Sequence, residues 1–384
     1  AIRGGTLTIT PVATATGAGG EAVFTGLDAG YYLIGDTSLT RSAVILATND
    51  EDIEIDLKSD LPVIDKLITN GENGSDKGTF KDEDQVVNFQ LNSRVPDMTG
   101  YTKYFFIIKD TLNGLTLDPD WQDDLEVKLG GVTLVNGTDY FVTVTGTAPN
   151  QSFKIVFDDF IQYKAQAGDP IVVTYSAIYT PEEGVHMGVN EANIQYSNDP
   201  SYDYQGDNEP ETGDPTDETP KDDAKVYSFD LILTKVDGAD NSVLLAGAQF
   251  ALYKYDDDTA TWVLVETLTS GADGKITFGD IGTGSYRLVE TQAPLNYNAI
   301  LDPIYFEVTA TFVGTDVASL LVNNAAFTAD TVNFAYVSAT IENNSGSILP
   351  GTGGRGVYAF YAIGTLLMAG AAAYVVVRRK KETA

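Results

Sequence analysis

Phe229-Asp230-Leu231-Ile232-Leu233-Thr234-Lys235 is the stretch from which the fold can be read. Strands alternate their side chains between two faces, so Phe229, Leu231, Leu233 and Lys235 stand on one side. A lysine therefore shares the apolar face. The same parity in Tyr286, Leu288 and Glu290 sets a carboxylate among apolar neighbours. In Val337, Ala339, Ile341 and Asn343 it does so with an amide, while Asn344 falls in phase with Ser338, Thr340 and Glu342. Three strands thus aim a lysine, an acid and an asparagine at one core. An unpaired charge there would cost several kcal/mol, so the three groups are expected to meet.

The arrangement recurs upstream. Ile64, Lys66 and Ile68 share a face, as do Tyr104, Phe106, Ile108 and Asp110, and again Asn190, Ala192, Ile194 and Tyr196. Asn193 is in phase with Glu191 and Gln195, so parity selects Asn190. Asp159, in phase with Ile155 and Phe157, is a rival acid.

Buried together, these three groups can react. Desolvation lowers a lysine pKa and raises that of an acid, so a neutral amine faces a protonated carboxyl. The amine attacks the asparagine amide carbon, the acid shuttles protons, and ammonia leaves. The product is an isopeptide cross-link made without a cofactor. Ordinary buried ion pairs beside a hydrogen-bonded amide also occur, and parity alone leaves both readings open.

Around these strands the chain reads as all-β, in tandem immunoglobulin-like sandwiches, with short alternating runs and Gly, Asn and Asp turns. Residues 1–61 are expected to form a truncated β domain, 62–200 a longer sandwich and 225–344 a second one. Residues 201–224, rich in Asp, Glu, Pro, Gly and Thr, read as a solvated acidic linker.

The C-terminal stretch 345–384 has its own order of parts. Leu349, Pro350, Gly351, Thr352 and Gly353 precede an uncharged run from Val357 to Val377, which ends in Arg378, Arg379, Lys380 and Lys381. A helix of that run spans about 30 Å, the hydrocarbon thickness of a bilayer, and the cations mark its cytoplasmic side.

Composition narrows the function classes. The 384 residues contain no cysteine, so neither disulfides nor thiol chemistry are available. A net charge of −32 argues against nucleic acid and anionic lipid as partners. No nucleophile-histidine-acid set, metal-ligand pattern or phosphate loop is visible, so an enzyme, a cofactor and a metal are not expected. His186 reads as a loop residue. Asp256, Asp257 and Asp258 read as a hairpin turn, since the spaced ligands of a calcium loop are missing. The chain starts at Ala1 without a signal peptide although its end implies secretion, so part of its N-terminus is expected to be missing.

Several motifs carry a family resemblance. Lys235-Val236-Asp237, Leu245-Ala246-Gly247-Ala248-Gln249-Phe250-Ala251-Leu252-Tyr253 and Tyr286-Arg287-Leu288-Val289-Glu290-Thr291-Gln292-Ala293-Pro294 resemble the CnaB-type domains of SpaA-type, sortase-assembled backbone pilins. The last run resembles their E-box, which implies Glu290 as isopeptide acid and Asn343 as the terminal-strand partner of Lys235. The middle domain, closed by Ala192-Asn193-Ile194-Gln195-Tyr196-Ser197-Asn198-Asp199-Pro200, resembles their CnaA-like domain, which implies Asp110 as the acid joining Lys66 to Asn190. The C-terminus resembles a cell-wall sorting signal, cut by a sortase between Thr352 and Gly353.

Shaft pilins of this kind carry V-x-V-Y-P-K at the end of the first domain, its lysine accepting the next subunit's C-terminal threonine. Here Ile53, Glu54, Ile55, Asp56, Leu57 and Lys58 stand in that place. The lysine fits; Asp and Leu replace Tyr and Pro, which leaves Lys77, Lys81 or a plainly solvated Lys58 as alternatives.

The resemblance implies a pilus shaft subunit, joined head-to-tail by a sortase and displayed on the cell wall after transient membrane tethering. Its implied partners are the sortase, neighbouring subunits and peptidoglycan. A monomeric wall-anchored adhesin binding a host matrix or mucus ligand is the rival reading.

Overall fold

The computed structural model describes residues 12–15, 23–35, 43–47, 61–71, 75–200 and 202–345. Within them the chain is almost entirely strand, with short helical segments at Trp121–Asp124 and Phe160–Gln166. It divides into two compact units, Ala1–Tyr227 with Phe312–Asp316, and Ser228–Thr311 with Val317–Ala384. The all-β, tandem-domain expectation holds. Of the stretch 1–61, the described strands are Tyr31–Gly35 and Ala43–Ala47, antiparallel partners with Tyr31 opposite Ala47. Lys58 lies outside the described residues.

The main body of the first unit has two sets of strands. Asp65–Ile68, Val86–Arg94, Pro170–Tyr179 and Glu126–Leu129 are successive antiparallel neighbours. Tyr140–Thr147, Asn150–Phe157, Phe106–Asn113, Met187–Ser197 and Asp222–Tyr227 form the other antiparallel series. Leu115–Leu117 pairs with a strand of each. The period-two pattern decides which residues turn inward: Ile171, Val173, Tyr175, Ala177 and Tyr179 are all buried along one strand. They join Phe89, Phe106, Ile108, Phe153 and Ile194 in one core cluster. Burying each large apolar side chain stabilises the unit by roughly 1.5–3 kcal/mol.

The segment 201–224 is not a linker. Thr216–Glu218 and Asp222–Tyr227 both pair antiparallel with Met187–Ser197, and the latter also runs parallel to Gly78–Phe80. Composition hid this because only every second residue needs to be apolar: Ala224 and Val226 are fully buried. Several acids of the segment face lysines. Asp222 holds Lys77 at 2.6 Å, Glu218 holds Lys109 at 2.7 Å and Glu209 holds Lys154 at 2.5 Å. The first unit therefore runs to Tyr227, and a single residue, Ser228, separates its last strand from Phe229–Asp237.

The second unit has two sheets. One contains Asp240–Leu244, Phe229–Asp237, Tyr336–Asn343 and Phe327–Ala329 in that order, with Lys275–Ile281 also paired to Phe229–Asp237. The other runs Thr261–Thr269, Gln249–Asp256, Gly284–Gln292, Ile304–Val313, Asp316–Val322. The first and last strands of the unit lie parallel, with Lys235 opposite Ile341 and Asp237 opposite Asn343. Lys235 and Asn343 thus stand on the same face, two positions apart in register.

His186 lies in a loop before Met187–Ser197, and Asp257 and Asp258 in a turn, as expected. Asp256 Oδ1 accepts the N–H groups of Asp258 and Thr259, which is how the turn closes.

Candidate functional site

In the first unit, Lys66, Asp110 and Asn190 come together deep in the core, each 0–1% exposed. Asp110 lies opposite Ala192 and Asn190 opposite Leu112, a diagonal pair on one face of adjacent strands. Lys66 arrives from the other series of strands. Its Nζ donates to Asp110 Oδ2 at 2.5 Å. Burial lowers the Lys66 pKa against the pull of Asp110, and burial raises that of Asp110 against the pull of the lysine. Both directions favour a neutral amine beside a protonated carboxyl.

A fourth residue stands among them. Tyr175 Oη accepts from Lys66 Nζ and from Asn190 Nδ2, both at 2.7 Å, and donates to Asp110 Oδ2 at 2.7 Å. Its ring stacks on Phe89 with centroids 5.5 Å apart, and Lys66 Nζ sits 5.2 Å above the Phe89 ring. Parity does not single out Tyr175, because tyrosine is common on an apolar face. The available signal was two hydroxyls, Tyr175 and Tyr179, on an inward run otherwise made of Ile171, Val173 and Ala177.

Asp110 Oδ1 and Asn190 Oδ1 are buried with no hydrogen-bond partner. Orphaned buried acceptors are uncommon and call for an explanation. A proton on the carboxyl would serve both oxygens at once.

Asp159, the rival acid, is exposed and precedes Phe160–Gln166 in a left-handed conformation, φ 38°. Its in-phase neighbours Ile155 and Phe157 are buried, but the strand ends at Phe157, so parity no longer applies. Asn193 is buried on the opposite face and donates to Glu218. The alternative lysines are engaged. Lys77 Nζ donates to Asp65, to Asp222 and to the Lys66 carbonyl. Burial pulls its pKa down, but the hydrogen bonds to Asp222 and Asp65 outweigh that and leave it raised. Lys81 is 8% exposed.

In the second unit Lys235, Glu290 and Asn343 are likewise buried, at 1%, 8% and 1% exposure. Glu290 comes from the opposite sheet. Its Oε2 accepts from Asn343 Nδ2 at 3.0 Å and from the Ile300 N–H at 2.7 Å. Asn343 Nδ2 also donates to the Asn298 carbonyl at 2.5 Å, and Lys235 Nζ to that of Ile341 at 2.8 Å. Glu290 Oε1 and Asn343 Oδ1 are again orphaned. Burial lowers the Lys235 pKa to about 8, against the pull of Glu290.

Local structure fixes this lysine. Its N–H donates to the Gly274 carbonyl at 2.8 Å. Gly274 has φ +68°, and a Cβ there would lie 2.7 Å from the Lys235 carbonyl oxygen. Only glycine fits that turn. Asn298 and Ile300 act through their backbones, so their side chains gave no signal.

The sorting-motif residues Leu349, Pro350, Gly351, Thr352 and Gly353, the apolar run and the basic tail lie outside the described residues. Among those described, no helix is long and apolar enough to cross a membrane.

Comparison with known proteins adds to this geometry. The family model for the SpaA prealbumin-like fold domain matches residues 229–318. The trypsin-resistant surface T6 protein of Streptococcus pyogenes serotype M6 is 26% identical over 391 residues, covering 84% of this chain and 70% of that protein. Among solved structures, the T6 backbone pilin of serotype M6 Streptococcus pyogenes superposes with TM-score 0.53 at 18% identity, covering 87% of this chain and 84% of that one. The Corynebacterium diphtheriae major pilin SpaA gives TM-score 0.50 at 16% identity, covering 85% and 84%. At these identities the structures speak for the fold.

Proposed function

From the SpaA-type domain at 229–318 and the homology to the T6 surface protein, we propose that this chain is the shaft subunit of a covalently polymerised Gram-positive pilus. It is a structural part and a sortase substrate. Its two units are a CnaA-like and a CnaB-type sandwich, each locked by an isopeptide bond.

One observation carries this reading. Each unit, independently, buries a lysine, a carboxyl and an asparagine together and leaves one oxygen of the carboxyl and the amide oxygen orphaned. In each, the neutral lysine amine attacks the asparagine Cγ. A proton on the carboxyl stabilises the developing oxyanion, one amine proton passes to the leaving nitrogen, and ammonia departs. Asp110 serves Lys66 and Asn190; Glu290 serves Lys235 and Asn343. The acids act once, within their own chain.

Between subunits, a sortase cleaves after Thr352 and transfers its acyl group to Lys58 of a neighbour. The engagement of Lys77 with three acceptors and the burial of Lys81 support Lys58 over either. The run Val357 to Val377 is the transient membrane anchor, removed by that cleavage. The final product resides in the cell wall and pilus.

Two measurements test this. The mass of the folded chain should fall short of its sequence mass by two ammonia molecules. Boiled detergent extracts of the wall should run as a high-mass ladder that Lys58→Arg abolishes, since arginine keeps the charge but not the primary amine. Persistence of the ladder in Lys58→Arg removes Lys58 from the mechanism. A wild type with no ladder favours the monomeric adhesin.

A further inference from the structure

We propose that Tyr175 is a catalytic residue of the first unit's cross-linking reaction, acting as the proton relay between amine, acid and leaving group. This rests on the isopeptide reading above and adds a fourth participant to it.

The geometry is specific. One hydroxyl touches all three other members at 2.7 Å: the nucleophilic Nζ of Lys66, the departing Nδ2 of Asn190 and the carboxyl of Asp110. An ordinary core tyrosine needs one partner for its hydroxyl; this one contacts every atom between which a proton must move. Burial first, and then the Asp110 charge, hold its phenol far above the ordinary value, so it stays protonated and able to donate.

The proton count closes through it. A neutral Lys66 amine carries two hydrogens, of which the new amide keeps one. As the Nζ–Cγ bond forms, protonated Asp110 gives its proton from Oδ1 to the Asn190 carbonyl oxygen and takes the surplus amine proton on Oδ2, which lies 2.5 Å from Nζ. Tyr175 gives its proton to Asn190 Nδ2 and regains one from Asp110. The Cγ–Nδ2 bond then breaks, ammonia leaves, and the re-formed carbonyl oxygen returns its proton to Asp110 Oδ1. Tyrosine and acid end as they began. The second unit has no hydroxyl hydrogen-bonded to Lys235 Nζ, Glu290 or Asn343 among its described contacts, which makes it a built-in control.

The test is a pulse-chase synthesis of the full chain with acid quenching. It follows both cross-linked tryptic peptides by mass, the one pairing Lys66 with Asn190 and the one pairing Lys235 with Asn343. In Tyr175→Phe the first should form about 100-fold more slowly, within the range for a lost general acid–base group. The second should keep its wild-type rate. Phenylalanine retains the stacking on Phe89, so the unit is expected to fold, as reported by the fluorescence of buried Trp121. If it does not, site-specific 3-fluorotyrosine at position 175 preserves shape and makes the phenol more acidic, and the rate must then change. An unchanged rate in either variant overturns the relay while leaving the isopeptide reading intact. If the wild type never yields the Lys66–Asn190 peptide, the underlying reading fails, and the relay with it.

Discussion

The two buried sites have the same three residue types and differ in how the lysine is held. In the first unit Lys66 is bonded directly to its acid and to Tyr175. In the second Lys235 is bonded to a backbone carbonyl, and Glu290 instead holds the asparagine it would activate. The difference follows from topology. Lys235 and Asn343 sit on adjacent parallel strands, so register alone brings nucleophile and amide together. Lys66 and Asn190 belong to different strand series, and side chains must bridge the gap. One site is assembled by backbone register, the other by a side-chain network.

The largest expected effect separates the two. The cross-links join residues 124 apart (66 to 190) and 108 apart (235 to 343), and by analogy with disulfides each stabilises by about 4–5 kcal/mol. Glu290→Ala should remove about that much from the second unit, because Lys235 keeps its carbonyl partner. Asp110→Ala should cost the first unit more, since leaving the buried Lys66 amine without its acid partner adds about 1–3 kcal/mol to the lost bond. Differential scanning calorimetry and protease sensitivity read both. Equal losses in the two units would mean that the side-chain network contributes nothing beyond the bond.

The pH response comes next in size. The amine must be neutral to attack, so cross-linking of the second unit should accelerate as pH rises through about 8, the Lys235 value. Lys66 can pass its proton directly to Asp110, so the first unit should show a flatter profile. Stability gives an independent check in Asn343→Ala, which cannot form the bond. The Lys235 pKa is about 8 when folded and near 10.5 when unfolded. Between those values the unfolded chain binds more protons, so stability should rise with pH across that window and level off above it. A flat chemical-denaturation series from pH 8 to 10.5 would show that Lys235 is not desolvated in solution.

How much of this was legible in sequence follows from the same contrast. Parity along Phe229–Asp237 and Tyr336–Asn343 needed only local alternation, and it placed Lys235 and Asn343 inside. It also turned Asn190, and not Asn193, to the face where Tyr175 stands. It failed for Asp159, because alternation stops where Asn150–Phe157 ends and the chain turns. Tyr175 escaped because its role depends on three partners from other strands. The acidic segment misled for a third reason: strand pairing is made by the backbone, to which net charge and composition are blind. Asp222, assigned to a linker by composition, in fact touches the lysine of the first site.

That contact supplies the smallest effect, and its sign is informative. Asp222 Oδ2 accepts the Lys66 N–H and the Lys77 Nζ, each at 2.6 Å. Its charge also raises the Lys66 pKa, a lesser influence than burial and Asp110. The Lys235 N–H is held instead by the Gly274 carbonyl. Asp222→Asn keeps the shape and one acceptor but removes the charge. As a partly exposed ion pair it should cost the unit under about 1 kcal/mol. If Asp222 served only as a brace, weakening it would slow the reaction. Loss of its charge instead favours the neutral amine, so the Lys66–Asn190 bond should form at least as fast as in the wild type, most visibly at low pH. Slower formation at every pH in a normally folded variant would mean that bracing outweighs charge, and that the first site depends on its flanking strand as well as on its buried network.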